Sequence, residues 1–366
     1  MADTAPTPAE HRFPCDQCGA DLRFDPGAGA LVCDYCGHAQ AAEPAAHPVT
    51  AIRELSFDKA VAGQLATEEI EETRVLSCTN CGAQVEFAPD IHAAECPFCA
   101  TPVVTDTGTH RHIKPRGLLP FALDEGAARR AMTDWLGSLW FAPSGLQDYA
   151  RNGRRMQGIY VPYWTFDADT TSRYTGERGT VYYETVTVMH EGKRQRRQVA
   201  KIRWTPASGR VARAFDDVLV LASRSLPARY TDALEPWDLG ALKPYSPQFL
   251  AGFRAEGYQV PLATGFEQAR VKMDAVIIRD VRFDIGGDQQ RIHRIDTDMR
   301  DVTFKHILLP VWLAAYKYRG KTYRFVVNGR SGRVQGERPW SPVKIAIAVV
   351  LGLIVAGAVG YVMANS

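Results

Sequence analysis

Eight cysteines carry the plainest chemistry in this sequence. They form two sets, Cys15, Cys18, Cys33, Cys36 and Cys78, Cys81, Cys96, Cys99, each spaced C-x2-C-x14-C-x2-C. Zn²⁺ takes four thiolates in a tetrahedron at about 2.3 Å. A two-residue spacer lets one tight turn aim two sulfurs at one ion, and the longer interval suits a hairpin that sets the second turn opposite the first. Gly19, Gly37 and Gly82 each follow the second cysteine of a turn, where a left-handed backbone is often required; Ala100 breaks that pattern.

The second set is the first displaced by 63 residues, and the neighbours move with it: Gly19 and Gly82, Ala20 and Ala83, Phe24 and Phe87, Pro26 and Pro89. This is the mark of a duplicated small unit. A unit of about 30 residues cannot hold itself by core burial, so bound metal must supply folding energy. Two Zn²⁺ per chain are expected. Disulfides and a redox C-x-x-C compete for the same residues. The start MADTAPTPAEHRF lacks the basic end and apolar run of a signal peptide. A reducing compartment follows, which disfavours disulfides, and no βαβ context supports a redox pair. Iron in a similar four-thiolate site is the rival metal.

The elements that must carry these units differ in charge. Residues 1–110 hold 17 acidic and 5 basic residues, and residues 111–366 hold 24 acidic and 38 basic. An acidic front is therefore joined to a basic body, although the net charge is only +2. Nucleic-acid binding rests on Lys and Arg at phosphates. The front offers only Arg12, Arg23, Arg53, Lys59 and Arg74, and each four-thiolate zinc centre adds negative charge. Protein contact is the better expectation for it. A mean hydropathy of −0.21 excludes a polytopic membrane protein but leaves room for one span.

That span is at the C-terminus. Ile345–Ala364 reads IAIAVVLGLIVAGAVGYVMA, without a charge. At 1.5 Å per residue it is about 30 Å long, the thickness of a bilayer's hydrocarbon core. From Lys317 to Lys344 there are eight basic residues and one acid, Glu337. The positive-inside rule then places the body in the cytoplasm, with Trp340 near the interface. Ala348, Gly352, Ala356 and Gly360 form a small-residue stripe that permits close approach of a second helix and self-association through the span, although small residues are also common in spans that pair with nothing.

In the body, helices are expected over Asp124–Leu139, with Ala128, Met132, Trp135 and Leu139 as the apolar stripe, and from Leu262 to about Val281. Ser56 is placed to cap a short helix carrying Phe57 and Ala60. Strand-like stretches are Ile159–Asp167, Val181–Met189, Val199–Trp204, Val218–Leu221, Ile307–Tyr318 and Tyr323–Val327. Val161-Pro162-Tyr163-Trp164 and Leu309-Pro310-Val311-Trp312 look like one signature used twice, and the prolines suggest strand starts or edges. The fold class expected is α+β: two tandem N-terminal zinc ribbons, a body with a largely antiparallel sheet, and one C-terminal transmembrane helix. The boundaries are 1–45 for the first ribbon, 46–76 for a linker with a short helix and 77–106 for the second ribbon. The body runs over 107–342 and the span over 343–364.

Catalytic patterns are missing. Gly320-Lys321-Thr322 lacks the upstream Gly of a phosphate loop, since position 315 is Ala315, and reads as a hairpin turn. Asp296, Asp298 and Asp301 lack the Gly and distal Glu of a calcium loop and read as surface acids near Arg294 and Arg300. No enzymatic activity is expected. Lys193, Arg194, Arg196 and Arg197 form the densest basic cluster, at a hairpin tip: a solvated turn, a contact for anionic headgroups, or one for nucleic acid.

The combination of paired cysteine units, WLGSLWFAPSGL, GIYVPYWTFDADTTSRYTGERG, LLPVWLAAYKYRGKTYRFVVNGRSGRVQGERPWS and a terminal span resembles a bacterial family of TFIIB-type zinc-ribbon membrane proteins. Its members are often labelled primosomal protein N′ (replication factor Y), superfamily II helicase-like. The resemblance implies that the eight cysteines are zinc ligands. It further implies an adaptor at the cytoplasmic face of the inner membrane, working with membrane-scaffold proteins of the SPFH type in envelope maintenance. The family's label carries the alternative, a helicase-related nucleic-acid-binding zinc protein.

Overall fold

The computed structural model describes residues 13–42, 52–78, 83–86, 93–96, 98, 102–104, 108–143, 156–190, 193–318 and 321–365. It is a mixed α+β protein with mostly antiparallel sheets. The first cysteine unit is a three-stranded sheet of β1 (Leu22–Asp25), β2 (Ala30–Cys33) and β3 (Ala39–Ala41). In the second unit the described strands are β4 (Gln84–Glu86), β5 (Ala93–Glu95) and β6 (Pro102–Val104).

The duplication holds at the level of register. Ala30 faces Ala41, Leu31 faces Gln40 and Val32 faces Ala39. Ala93 faces Val104, Ala94 faces Val103 and Glu95 faces Pro102, the same three pairs moved by the sequence repeat. The turn hydrogen bond repeats too. The Cys15 N–H donates to the Ala20 carbonyl at 2.7 Å, and the Cys78 N–H to that of Ala83 at 2.8 Å.

In the body, α1 (Glu125–Ser138) is capped by the Asp124 carboxylate, which accepts from the Ala127 N–H at 2.6 Å. It is built on three long strands. β7 (Gln157–His190) lies between β8 (Lys193–Leu221) and, after α2 (Leu262–Ile285), β9 (Gln289–Tyr318), antiparallel to both. β10 (Lys321–Asn328) and β11 (Val334–Gly336) extend the sheet beyond β9. Lys321 thus opens a strand rather than a phosphate-binding helix. The chain closes with α3 (Pro342–Asn365).

Five of the six strand stretches expected from sequence are pieces of β7, β8 and β9. The residues between them alternate buried Thr170, Ser172 and Tyr174 with exposed Asp169 and Arg173. Their inward polar groups are satisfied by hydrogen bonds: Thr170 Oγ1 donates to the Arg213 carbonyl of β8 at 2.9 Å, Ser172 Oγ pairs with Thr297 Oγ1 of β9 at 2.8 Å, and Tyr174 Oη donates to Asp284 of α2 at 2.6 Å. The apolar alternation that betrays a strand is absent there. The Ser56 hydroxyl makes no cap bond to the short helix Phe57–Val61, contrary to expectation.

The two prolines are another correction, for both lie inside strands paired on two sides. Val161 faces Leu309 at the middle of the β7–β9 ladder, with Tyr160 opposite Pro310 and Pro162 opposite Leu308. The Pro162 carbonyl accepts from the Ala222 N–H just past the end of β8, and the Pro310 carbonyl from the Gly329 N–H just past the end of β10. In a strand the N–H and C=O of one residue point the same way. Each proline's missing donor therefore faces the point where the adjacent ladder has ended, and no sheet bond is lost.

Side chains alternate across this ladder and divide the core between two faces. On one, Tyr160, Leu308 and Trp312 pack with Cys15, Phe24 and Cys33 of the first unit and with Met132 of α1. On the other, Ile159, Val161, Ile307 and Leu309 pack with Cys78, Ala83 and Cys96 of the second. The two cysteine units thus cover opposite faces of one sheet. Farther along, Trp164, Phe166 and Phe304 meet the buried stripe of α2 (Leu262, Gly265, Ala269, Met273, Ile277, Val281, Ile285).

Gly265 lets α2 approach the sheet, since a Cβ there would sit 2.7 Å from Trp164 Cδ1. The Trp164 indole is locked by its hydrogen bond to the Val260 carbonyl at 2.9 Å. Gly265→Ala should therefore lower stability by about 1–3 kcal/mol through overpacking, although alanine is the better helix former. Urea unfolding of the detergent-solubilised chain measures it; an unchanged or raised midpoint contradicts this packing.

Candidate metal centre

The first unit brings its four cysteines to one point. Each offers a sulfur, and all four sulfurs lie within 4.8 Å of one another. Cys15 and Cys36 are 3.6 Å apart, and Cys18 and Cys33 are 3.5 Å apart. A tetrahedron with bonds of about 2.3 Å has edges of about 3.8 Å, whereas a disulfide needs about 2.05 Å. The spacing fits four ligands around one ion and excludes bonded sulfur pairs. Zn²⁺ meets its preferred donors here and the residues fit it.

Local backbone geometry produces this convergence. Gly19 and Gly37 both have φ of +74°, the left-handed turn that brings the chain back after each knuckle. Their N–H groups donate to the Cys15 and Cys33 carbonyls at 2.8 and 2.9 Å. Gly82 lies outside the described residues. The unit is fixed to the body by the Phe24 N–H, which donates to the Ala251 carbonyl at 2.9 Å, and by the Phe24 ring edge-on to Phe249.

The sulfurs do not ionise equally by themselves. The Cys36 N–H is the main cause that lowers Cys33 to about 7; the Tyr35 N–H helps and burial opposes. The Ala20 N–H favours the Cys18 thiolate, but the Cys33 sulfur and the remaining thiols push it up to about 12. Four thiolates crowded together need a cation, which a divalent metal held by Cys15, Cys18, Cys33 and Cys36 would supply.

Of the second set, Cys78 and Cys96 are buried, as are their counterparts Cys15 and Cys33. Cys81 and Cys99 lie outside the described residues. The second unit leans on the strand Arg254–Ala255 and its sequel, the Gly257 N–H donating to the Gln84 carbonyl at 3.2 Å. Beside it lies Glu256, a buried acid that the sequence did not single out. Its Oε1 accepts from Ser223 at 2.9 Å, from Gln259 at 3.0 Å and from Ser225. Burial pushes its carboxyl up to about 8. Nothing local in the sequence marks it, because its serine partners come from just past the end of β8.

A second carboxylate group, Asp167, Asp216 and Asp217, also converges. Its charge is met from within. Lys305 Nζ lies 2.7 Å from Asp217, 3.0 Å from Glu54 and 3.7 Å from Asp167. Burial works against the Lys305 charge, yet these carboxylates together raise its pKa. This is an ion-pair node at a bulge of the β7–β8 ladder, where Asp217 takes φ of +51°. Asp296 and Asp298 are surface acids paired with Arg294 and Arg300, as the sequence suggested.

The remaining candidate residues are not near the cysteine cluster. Lys193 and Arg194 open β8, and Arg196 and Arg197 are exposed close behind. Ala348, Gly352, Ala356 and Gly360 lie on α3, the first half-buried and the other three exposed; a Cβ at Gly352 or Gly360 would meet nothing within 4 Å. Residues 342–363 are long and apolar enough to cross a membrane, and none of that apolar stretch is buried in the fold.

The chain is similar to an uncharacterized protein, YdjG, of Bacillus subtilis (strain 168), at 24% identity over 336 residues, covering 91% of this chain and 92% of that one. No family model and no solved structure matches.

Two measurements check these sites. Cys33→Ser should strip metal from the first unit, seen as lost zinc in elemental analysis. The wild-type ion should leave as pH falls, because each thiolate must take up a proton to release it. Lys305→Met strands half-buried carboxylates and should cost about 3 kcal/mol at pH 8. Asp167 is already pushed up to about 6, chiefly by burial. A raised carboxyl is neutral below its folded value and charged above it, so the cost should shrink toward pH 5. A loss independent of pH contradicts the node.

Proposed function

We propose that this chain is a membrane-anchored zinc-ribbon adaptor, held by α3 with its body in the cytoplasm, that organises protein partners at the membrane face. The observation that carries the reading is the wholly unburied apolar helix α3 on a body that already has both sheet faces covered. Such a helix needs lipid or another helix around it. The eight basic residues between Lys317 and Lys344 support a cytoplasmic body.

The second unit holds the second zinc in this reading. The repeated register and the repeated Cys–Ala turn bond support it. The metal would fix each knuckle as a rigid contact surface, and the stripe from Ala348 to Gly360 would let spans pair. The partner class implied by the family resemblance is an SPFH-type membrane scaffold.

Carbonate washing of membranes, protease protection of the body, and metal analysis of the gently solubilised protein test the proposal together. A chain that stays in the pellet, is digested only after the membrane is opened from the cytoplasmic side, and carries two zinc equivalents is expected. Release of the intact chain by carbonate contradicts the anchor.

A further inference from the structure

The far end of the sheet carries the unclaimed feature. The helix α2 and the strand β9 support β7 and β8 only as far as Gly179, which faces Gln289. Beyond it, Thr180–His190 and Lys193–Arg203 pair with each other alone among the described residues. At about 3.4 Å per residue this two-stranded ribbon projects about 37 Å. β8 is the outermost strand, and its other edge has no strand partner among the described residues.

An open edge of this length invites pairing, and proteins usually blunt it with bulges, prolines or charge. Here the β7–β8 register runs without a bulge from Ala168–Phe215 to His190–Lys193, and the first proline of β8 is Pro206. Charge is therefore the main guard. From Lys193 to Ala214 the strand has eight Lys and Arg and no Asp or Glu. Like charges directly opposite repel, so this edge rejects a second copy of itself, whereas an acidic strand gains from the same cations.

The cations lie on both sides of the edge. By register Arg196 shares a face with Thr187, while Arg197, Lys201 and Arg203 share the other with Val186, Tyr182 and Thr180. Lys201 is bonded to Glu184 and the Arg203 guanidinium lies 5.2 Å over Tyr182, but Arg196 and Arg197 make no ion pair among the described residues. An added strand also sends its side chains alternately to both faces, so its carboxylates would meet cations above and below. A nucleic-acid backbone would meet only one face and would leave the edge's peptide groups unused. The bilayer is a poor match as well. β11 runs from Val327 back toward Phe325, and the chain leaves for α3 at the end of the sheet opposite the ribbon.

We propose that the free edge of β8 from Gln195 to Thr205 binds an extended acidic peptide segment of a protein partner, which joins the sheet as an additional strand. Its main-chain groups would pair with the edge, and its Asp or Glu side chains would face Arg196 and Arg197. The proposal needs neither metal nor lipid, so its failure leaves the adaptor reading standing, and a failed carbonate test leaves this edge standing.

The test uses the full chain in neutral detergent with zinc bound. The probe is a fluorescent, carbonyl-labelled peptide of a dozen residues in Glu-Glu-Thr-Thr repeats, which set carboxylates on both faces of a strand, beside its Lys–Thr counterpart, a short DNA duplex and phosphatidylglycerol vesicles. Binding of the Glu–Thr peptide, with its labelled carbonyls shifting into the β-sheet infrared band, is expected. Arg196→Glu with Arg197→Glu should weaken it about tenfold, and the two glutamine substitutions by less. Unchanged zinc content reports that these variants are folded. No binding, equal binding of the Lys–Thr peptide, binding without the infrared shift, or tighter arginine-dependent binding of duplex or vesicles overturns the proposal.

Discussion

The β7–β9 pairing is the constraint on which the rest of the molecule depends. Val161 opposite Leu309 sets the register, and that register decides which side chains face each way. A slip of one residue would turn Tyr160 and Trp312 onto the wrong face and expose both cysteine units' footings. The strands can cross in the middle of a sheet despite Pro162 and Pro310 because each neighbouring ladder stops where a donor would be missing. The body is therefore a plate with two finished faces. The small cysteine units, too small for cores of their own, borrow apolar area from it.

This borrowing explains the burial pattern of the cysteines. Cys15 and Cys33 are buried while Cys18 and Cys36 are exposed. Each knuckle sends one sulfur toward the sheet and one toward solvent. The cysteine cluster is thus half the closure of its own unit and half a wall of the body's core. Cys78 and Cys96 repeat the inward half on the opposite face.

Much of this was legible in the sequence. The cysteine spacing, the repeat, the left-handed glycines after Cys18 and Cys36, the helix that follows Asp124 and the terminal apolar helix are local patterns, and local patterns survive reading one residue at a time. The start of α2 was legible as well. The length of the strands was not, because Thr170 and Ser172 hydrogen-bond their hydroxyls to the neighbouring strands and Gly176 lies against the Arg291 backbone of β9, so no apolar alternation marks that stretch. Glu256 and Lys305 were hidden for another reason. Their partners, Ser223 and Asp217, are distant in sequence and meet only when the sheet has formed. The prolines misled because their cost depends on what lies beside them in space.

The two ends of the sheet have different characters, and this follows from strand direction alone. β10 and β11 return the chain to the end where Trp340 lies 6.2 Å from Phe141 and the Ser341 N–H donates to the Phe141 carbonyl at 2.8 Å. That end is tied down just before the apolar helix begins. The other end is the unsupported hairpin of β7 and β8. A strand of 30 residues such as β9 has a contour of about 100 Å, so the two ends cannot serve the same surface without bending the plate. Covering both faces of the sheet stiffens it against such bending. The same packing that gives the cysteine units their footing therefore keeps the ribbon apart from the helix end.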